Sequence, residues 1–172
     1  EVYKTKPALQ WKDVAGVEAP QELSNEKMQA ERILGERTVY KKSRKVGPMV
    51  HLVPDKSLTN DEAYTLQVND KGITIKGRTP AAVFYGLMTL EQLCIGNGVS
   101  ARSIQLPSLY IVDQPRTAIR ELMVDPVRHF IPFNDLKGFI VEMARYKFNA
   151  LLLHAHPVLL NPLLFSLKHP GK

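Results

Sequence analysis

The strongest constraint on what this chain can fold into is the order of patterns between Ile119 and Leu153. A short apolar run from Ile119 to Val124, rich in branched side chains, reads as a strand, and the proline after Asp125 ends it. Pro132-Phe133-Asn134-Asp135 then carries an N-terminal cap signal. Leu136, Phe139, Ile140, Met143 and Lys147 follow at helical spacing over about three turns, and Asn149 is placed to end that helix. Ala150-Leu151-Leu152-Leu153 is apolar on both faces, the pattern of a strand buried inside a parallel sheet. Two parallel strands joined by a helix open an α/β sheet or barrel. Asp125, Arg128 and His129 sit just past the carboxyl end of the first strand, where such architectures bind ligands.

The rest of the chain reads as a separate unit. At 172 residues, 44% hydrophobic and 23% charged, the chain can bury a real core, and no stretch approaches the roughly 20 apolar residues of a membrane-spanning helix. The net charge of +6 and the cluster Lys41, Lys42, Arg44 and Lys45 raise a nucleic-acid partner. No aromatic-basic motif or zinc-ligand spacing accompanies them, so a solvated loop is the expectation. The single cysteine, Cys94, excludes an internal disulfide framework and falls on the apolar face of a helix.

Up to about Gly47 the sequence is polar, with one helix expected from Glu22 to Leu34, whose thin apolar spacing suits packing at an edge. Met49 to Val53 is a candidate strand. Tyr64, Leu66 and Val68 alternate with polar residues, Asn69-Asp70-Lys71-Gly72 supplies a turn, and Ile73 and Ile75 alternate again, giving a hairpin with one buried face. Thr79-Pro80 starts a helix, with Thr79 as cap, and Val83, Leu87, Leu90 and Cys94 form one stripe along it. Gly96-Asn97-Gly98 stops that helix, and Leu109 and Ile111 mark a further strand before Asp113-Gln114-Pro115-Arg116, where a domain boundary is expected. The fold class is α/β: an α+β domain over residues 1–115, with a mainly antiparallel sheet and helices on one face, followed over 116–172 by the opening β-α-β of a truncated TIM barrel and an atypical tail.

From about Tyr64 to His154 the sequence resembles family 20 glycoside hydrolases, the β-N-acetylhexosaminidases. Four pieces carry the resemblance in order: the hairpin with the helix Thr79-Pro80-Ala81-Ala82-Val83-Phe84-Tyr85-Gly86-Leu87 and onward, the link Val112-Asp113-Gln114-Pro115-Arg116, the strand and loop Met123-Val124-Asp125-Pro126-Val127-Arg128-His129-Phe130, and Met143 to Asn149 leading into His154. The resemblance implies that Arg128 contacts hydroxyls of a terminal sugar, which suits a guanidinium's fixed fork of donors. The competing expectation is that Arg128 pairs with Asp125 to stabilise the loop. Asp125, His129 and His154 are expected to support the site rather than to catalyse.

The reaction the resemblance implies is removal of a terminal non-reducing N-acetylhexosamine by a retaining, substrate-assisted mechanism, in which the glutamic acid of an adjacent Asp-Glu pair protonates the leaving oxygen and the aspartate orients the acetamide. It implies no cofactor, glycans carrying N-acetylhexosamine as partners, and a secreted, periplasmic or lysosomal setting. Asp61-Glu62 is the one adjacent Asp-Glu in these 172 residues, and it precedes the hairpin, so it reads as surface. The sequence after His154, Ala155-His156-Pro157-Val158-Leu159-Leu160-Asn161-Pro162, lacks the family's polar pocket residues and suits neither a barrel strand nor a clean helix. A truncated or frame-disrupted coding sequence, inactive by itself, is the expectation, with an exposed edge on the second barrel strand inviting self-association. The rivals are a non-catalytic carbohydrate-binding or interaction module and a related glycosidase family that shares this kind of N-terminal domain. His154 and His156 could chelate a metal, but no third ligand is evident.

Overall fold

A computed structural model describes residues 2–10, 14–37, 47–95, 105–154 and 164–166. The basic cluster at 41–45, the Gly96-Asn97-Gly98 turn and the tail around His156 lie outside the described residues. The chain divides into two compact units, Glu1–Pro115 and Arg116–Lys172.

The first unit holds a six-stranded sheet. Its strands are β1 (Val2–Gln10), β2 (Gly16–Glu18), β3 (Met49–Pro54), β4 (Tyr64–Asn69), β5 (Gly72–Gly77) and β6 (Gln105–Asp113), in the spatial order β1-β6-β4-β5-β3-β2. The pairs β1·β6, β6·β4 and β4·β5 are antiparallel; β5·β3 and β3·β2 are parallel. The alternation in the hairpin decides which face is covered. Leu66, Val68, Ile73 and Ile75 are buried with Val50, Leu52, Leu109 and Ile111, while Gln67, Lys76, Tyr110 and Val112 on the other parity are exposed. The β4–β5 turn is tight, with Asn69 opposite Gly72, and the Asn69 side chain accepts the Lys71 N–H at 2.9 Å. Gly72 takes φ of 144°, a conformation open to glycine and strained for other residues.

The covered face receives α2 (Pro80–Ile95), on which α1 (Ser24–Arg37) packs in turn. Thr79 accepts the Ala82 N–H at 3.3 Å and donates to the Asp61 carbonyl at 2.6 Å, so it caps α2 and anchors it to the preceding loop. Packed against both the sheet and α1, α2 is buried on several sides: Val83, Leu87, Leu90 and Cys94 are buried, and so are Tyr85, Met88 and Glu91. Gly86 permits the close approach, because a Cβ there would lie 2.5 Å from the Ile75 Cγ2 and 3.2 Å from Tyr64.

Two expectations for this unit need correction. The helix expected over Glu22–Leu34 does not sit at an edge: Ala30, Ile33 and Leu34 belong to the main core, its narrow stripe being fully covered by α2 and the neighbouring strands. The opening polar segment supplies two strands, β1 and β2, one at each outer position of the sheet. Edge strands carry charged residues readily, which is why hydrophobic alternation is faint there.

The second unit contains β7 (Glu121–Val124), α3 (Phe133–Arg145), β8 (Ala150–Leu153) and β9 (Leu164–Ser166). β7 and β8 pair in parallel, Glu121 with Ala150 through Val124 with Leu153. Val124, Met143 and Leu151 form a small core, with Leu122, Leu136, Ile140 and Leu153 packed on it, so one face of both strands meets α3. Pro132 is the α3 cap residue, and no side chain caps the helix; instead its carbonyl accepts the Asp135 and Leu136 N–H groups, each at 3.0 Å. The helix ends at Arg145, before Lys147 turns the chain with φ of 62°, so Asn149 does not end it. The tail does contribute a strand, since β9 pairs antiparallel with β8. The outer edge of β8 is therefore covered rather than exposed.

Candidate functional site

The carboxyl ends of β7 and β8 bring the expected residues together from two directions. Asp125 leaves β7 into a turn closed by its own side chain, whose Oδ1 accepts the backbone N–H of Val127 and of Arg128, each at 3.1 Å. Its Oδ2 lies 3.4 Å from the Arg128 Nε. Across the strand pair, the His154 N–H donates to the Val124 carbonyl at 2.9 Å, placing His154 next to Asp125.

The electrostatics agree with that arrangement. The backbone N–H of Arg128 holds the Asp125 carboxyl below its ordinary range against the opposing cost of burial; the Val127 N–H and the charges of His154 and Arg128 act in the same direction as the first. Asp125 thus carries negative charge that fixes the loop. The Arg128 side chain stays 89% exposed, so the ion pair orients the guanidinium without hiding it. Both expectations for Arg128 are compatible: it pairs with Asp125 and remains reachable. His129 is exposed, and no side-chain hydrogen bond or ion pair among the described residues ties it to this group.

Asp61-Glu62 lies in the first unit, with Asp61 exposed and its Oδ1 3.0 Å from the Arg78 Nε. No group of three histidine, cysteine or carboxylate side chains among the described residues could hold a metal ion. No helix among them is long and apolar enough to cross a membrane.

Sequence reasoning missed the opposite end of the strand pair. There the Asn149 side chain accepts the Arg120 N–H at 2.9 Å and donates to the Ala118 carbonyl at 2.7 Å. Arg120 returns the contact, its Nε donating to the Lys147 carbonyl at 2.7 Å and its Nη1 to the Thr117 carbonyl at 2.9 Å. In the sequence these are an unremarked arginine and an asparagine at a helix end. Only the pairing of β7 with β8 gives them work.

The comparisons fit both units. Residues 2–114 match glycosyl hydrolase family 20, domain 2, and residues 118–157 match the glycosyl hydrolase family 20 catalytic domain. A β-hexosaminidase of Akkermansia muciniphila is 44% identical over 93 residues, covering 54% of this chain and 18% of that protein. A β-N-acetylhexosaminidase of Cellulomonas fimi is 38% identical over 96 residues, covering 55% of this chain and 18% of that one. The fold is similar to that of the family 20 β-N-acetylhexosaminidase of Streptomyces coelicolor A3(2), with a TM-score of 0.74 at 25% identity over 90% of this chain and 33% of that one. The chain therefore spans about a fifth of the length of the curated relatives it matches. With an α/β first unit and a partial barrel, each matched by its own domain of the same family, the chain belongs to glycosyl hydrolase family 20.

Proposed function

We propose that residues 1–115 form the N-terminal domain of a β-N-acetylhexosaminidase and residues 116–172 the opening of its catalytic barrel, with Arg128 contacting hydroxyls of the terminal N-acetylhexosamine. The observation that carries this reading is an exposed guanidinium held by Asp125 at the carboxyl ends of two parallel barrel strands, within the segment that matches the family's catalytic domain. Asp125 orients Arg128, His154 supports Asp125 from the neighbouring strand, and His129 flanks the loop. In the complete enzyme the reaction is retaining and substrate-assisted, with the sugar's acetamide as nucleophile and an Asp-Glu pair as its partner. The setting is secreted, periplasmic or lysosomal.

Asp61-Glu62, the one adjacent Asp-Glu in these 172 residues, lies in the first unit, with the Asp61 Oδ1 3.0 Å from the Arg78 Nε, so in this reading it does not serve as that pair. Incubation with a chromogenic N-acetylglucosaminide should release no leaving group, and measurable turnover would overturn the assignment. Titration with N-acetylglucosamine separates this from a carbohydrate-binding module, which gives saturable shifts where an isolated barrel opening gives none. Self-association, with the β8 edge covered by β9, is assigned to the outer edge of β7.

A further inference from the structure

We propose that Asn149 is a positioning residue for the Arg128 loop, and that it works by standing in for a missing backbone rung of the barrel sheet. In a parallel ladder, a residue donates its N–H to the carbonyl before its opposite number and accepts from the N–H after it. The Asn149 side-chain amide makes that pair of bonds opposite Ile119: its Nδ2 donates to Ala118 O at 2.7 Å, and its Oδ1 accepts from Arg120 N at 2.9 Å. The backbone does not do this: the Phe148 N–H goes to the Met143 carbonyl at 2.9 Å, the Asn149 N–H goes to the Arg120 carbonyl at 3.0 Å, and the ladder proper begins at Glu121 and Ala150. An asparagine amide has the donor, the acceptor and the planar geometry of a peptide group, so it extends the ladder across the turn.

The consequence reaches the other end of the strands. β7 and β8 are four residues each, so few ladder hydrogen bonds hold their register, and the buried face that meets α3 carries much of it. A slip of one residue would turn Leu122 and Val124 away from α3 and shift Asp125 by about 3.3 Å relative to His154. Asn149 pins the amino ends; the His154 N–H bond to Val124 O closes the carboxyl ends. Between these points the place of Asp125, and through it that of Arg128, is set.

The role in sugar contact rests on the proposed function, but the test does not involve sugar. Asn149→Asp is nearly isosteric; its ionised carboxylate cannot donate and sets an oxygen against Ala118 O, whereas its protonated form again has one donor and one acceptor. Hydrogen exchange of the His154 amide, corrected for intrinsic rates, should show protection at pH 7 about tenfold lower in this variant than in the parent. Protection should return as pH falls toward about 4, near the ordinary carboxyl range. Asn149→Leu should lose protection at every pH, and Leu151→Ala, a core truncation, should show no acid recovery. If Asn149→Asp is unfolded at pH 7 but refolds in acid, the proposal stands. Parent-like protection at pH 7, or a loss that acid does not reverse, overturns it. If Arg128 proves not to contact sugar in a complete barrel while this exchange pattern is intact, the sugar assignment alone fails.

Discussion

The Asp125 carboxylate lies 3.4 Å from the Arg128 Nε through one oxygen and accepts the Arg128 backbone N–H at 3.1 Å through the other. One side chain therefore fixes both the backbone and the guanidinium of the residue proposed to meet sugar. Its carboxyl is held below the ordinary value of 3.8, first by the Arg128 N–H. Because the folded value is the lower one, the contribution to loop order is fully present above about pH 4 and is lost as pH falls through the lowered value. Protection of the Arg128 amide, followed by NMR from pH 6 to pH 2, should persist below pH 3.8 and then fall away. In Asp125→Asn it should be weaker at pH 6 and lack that acid transition; an identical transition in the variant would show that another group causes it.

Tyr64 carries a second prediction, about the first unit. The residue is 2% exposed, and its hydroxyl donates to Asp113 Oδ2 at 2.8 Å and lies 2.6 Å from Thr89 Oγ1. The hydroxyl thus joins β4, α2 and the last residue of β6. Burial raises its pKa above the ordinary tyrosine value, so it stays protonated and able to donate. Tyr64→Phe should destabilise by about 1–2 kcal/mol, read as a lower urea midpoint with unchanged slope. No shift in midpoint would contradict the role given to this contact.

Gly86 tests the helix-to-sheet contact. Replacing it with alanine favours the helix by about 1 kcal/mol, but the new methyl meets Ile75 and Tyr64, and overpacking costs about 1–3 kcal/mol. Thermal unfolding of Gly86→Ala should show a lowered midpoint. A raised midpoint would mean that the sheet and helix have room to part there.

The self-association proposed for the outer edge of β7 gives a further prediction. Met123 is 61% exposed on this strand, and a lysine on an edge strand opposes edge-to-edge pairing. Sedimentation velocity should show concentration-dependent association of the parent and a persistent monomer for Met123→Lys. A parent that stays monomeric at every concentration would remove the assignment.

Much of this fold was legible because its inner strands alternate cleanly. Tyr64, Leu66 and Val68, then Ile73 and Ile75, with Asn69 and Gly72 at the turn, state both the hairpin and its buried face. The run Ala150–Leu153 likewise announces a strand paired in parallel. β1 and β2 were not legible, because outer strands of a sheet need no continuous apolar face. The grouping of Asp125 with Arg128 follows from their spacing, whereas the approach of His154 follows from the β7–β8 register. Asn149 shows the limit most clearly: as a sequence it is a helix ender, and its bonds to Ala118 and Arg120 exist only once two distant segments lie side by side.

The central claim is that Arg128 grips the terminal sugar, and a graft tests it most directly. Residues 118–154 of this chain would replace the corresponding segment of the Akkermansia muciniphila β-hexosaminidase, giving Arg128 a complete barrel. The graft should hydrolyse a chromogenic N-acetylglucosaminide, and Arg128→Ala within it should lower kcat/KM by about 10- to 100-fold, the range expected for losing a charged hydrogen bond. An active graft in which Arg128→Ala leaves kcat/KM unchanged would contradict the account.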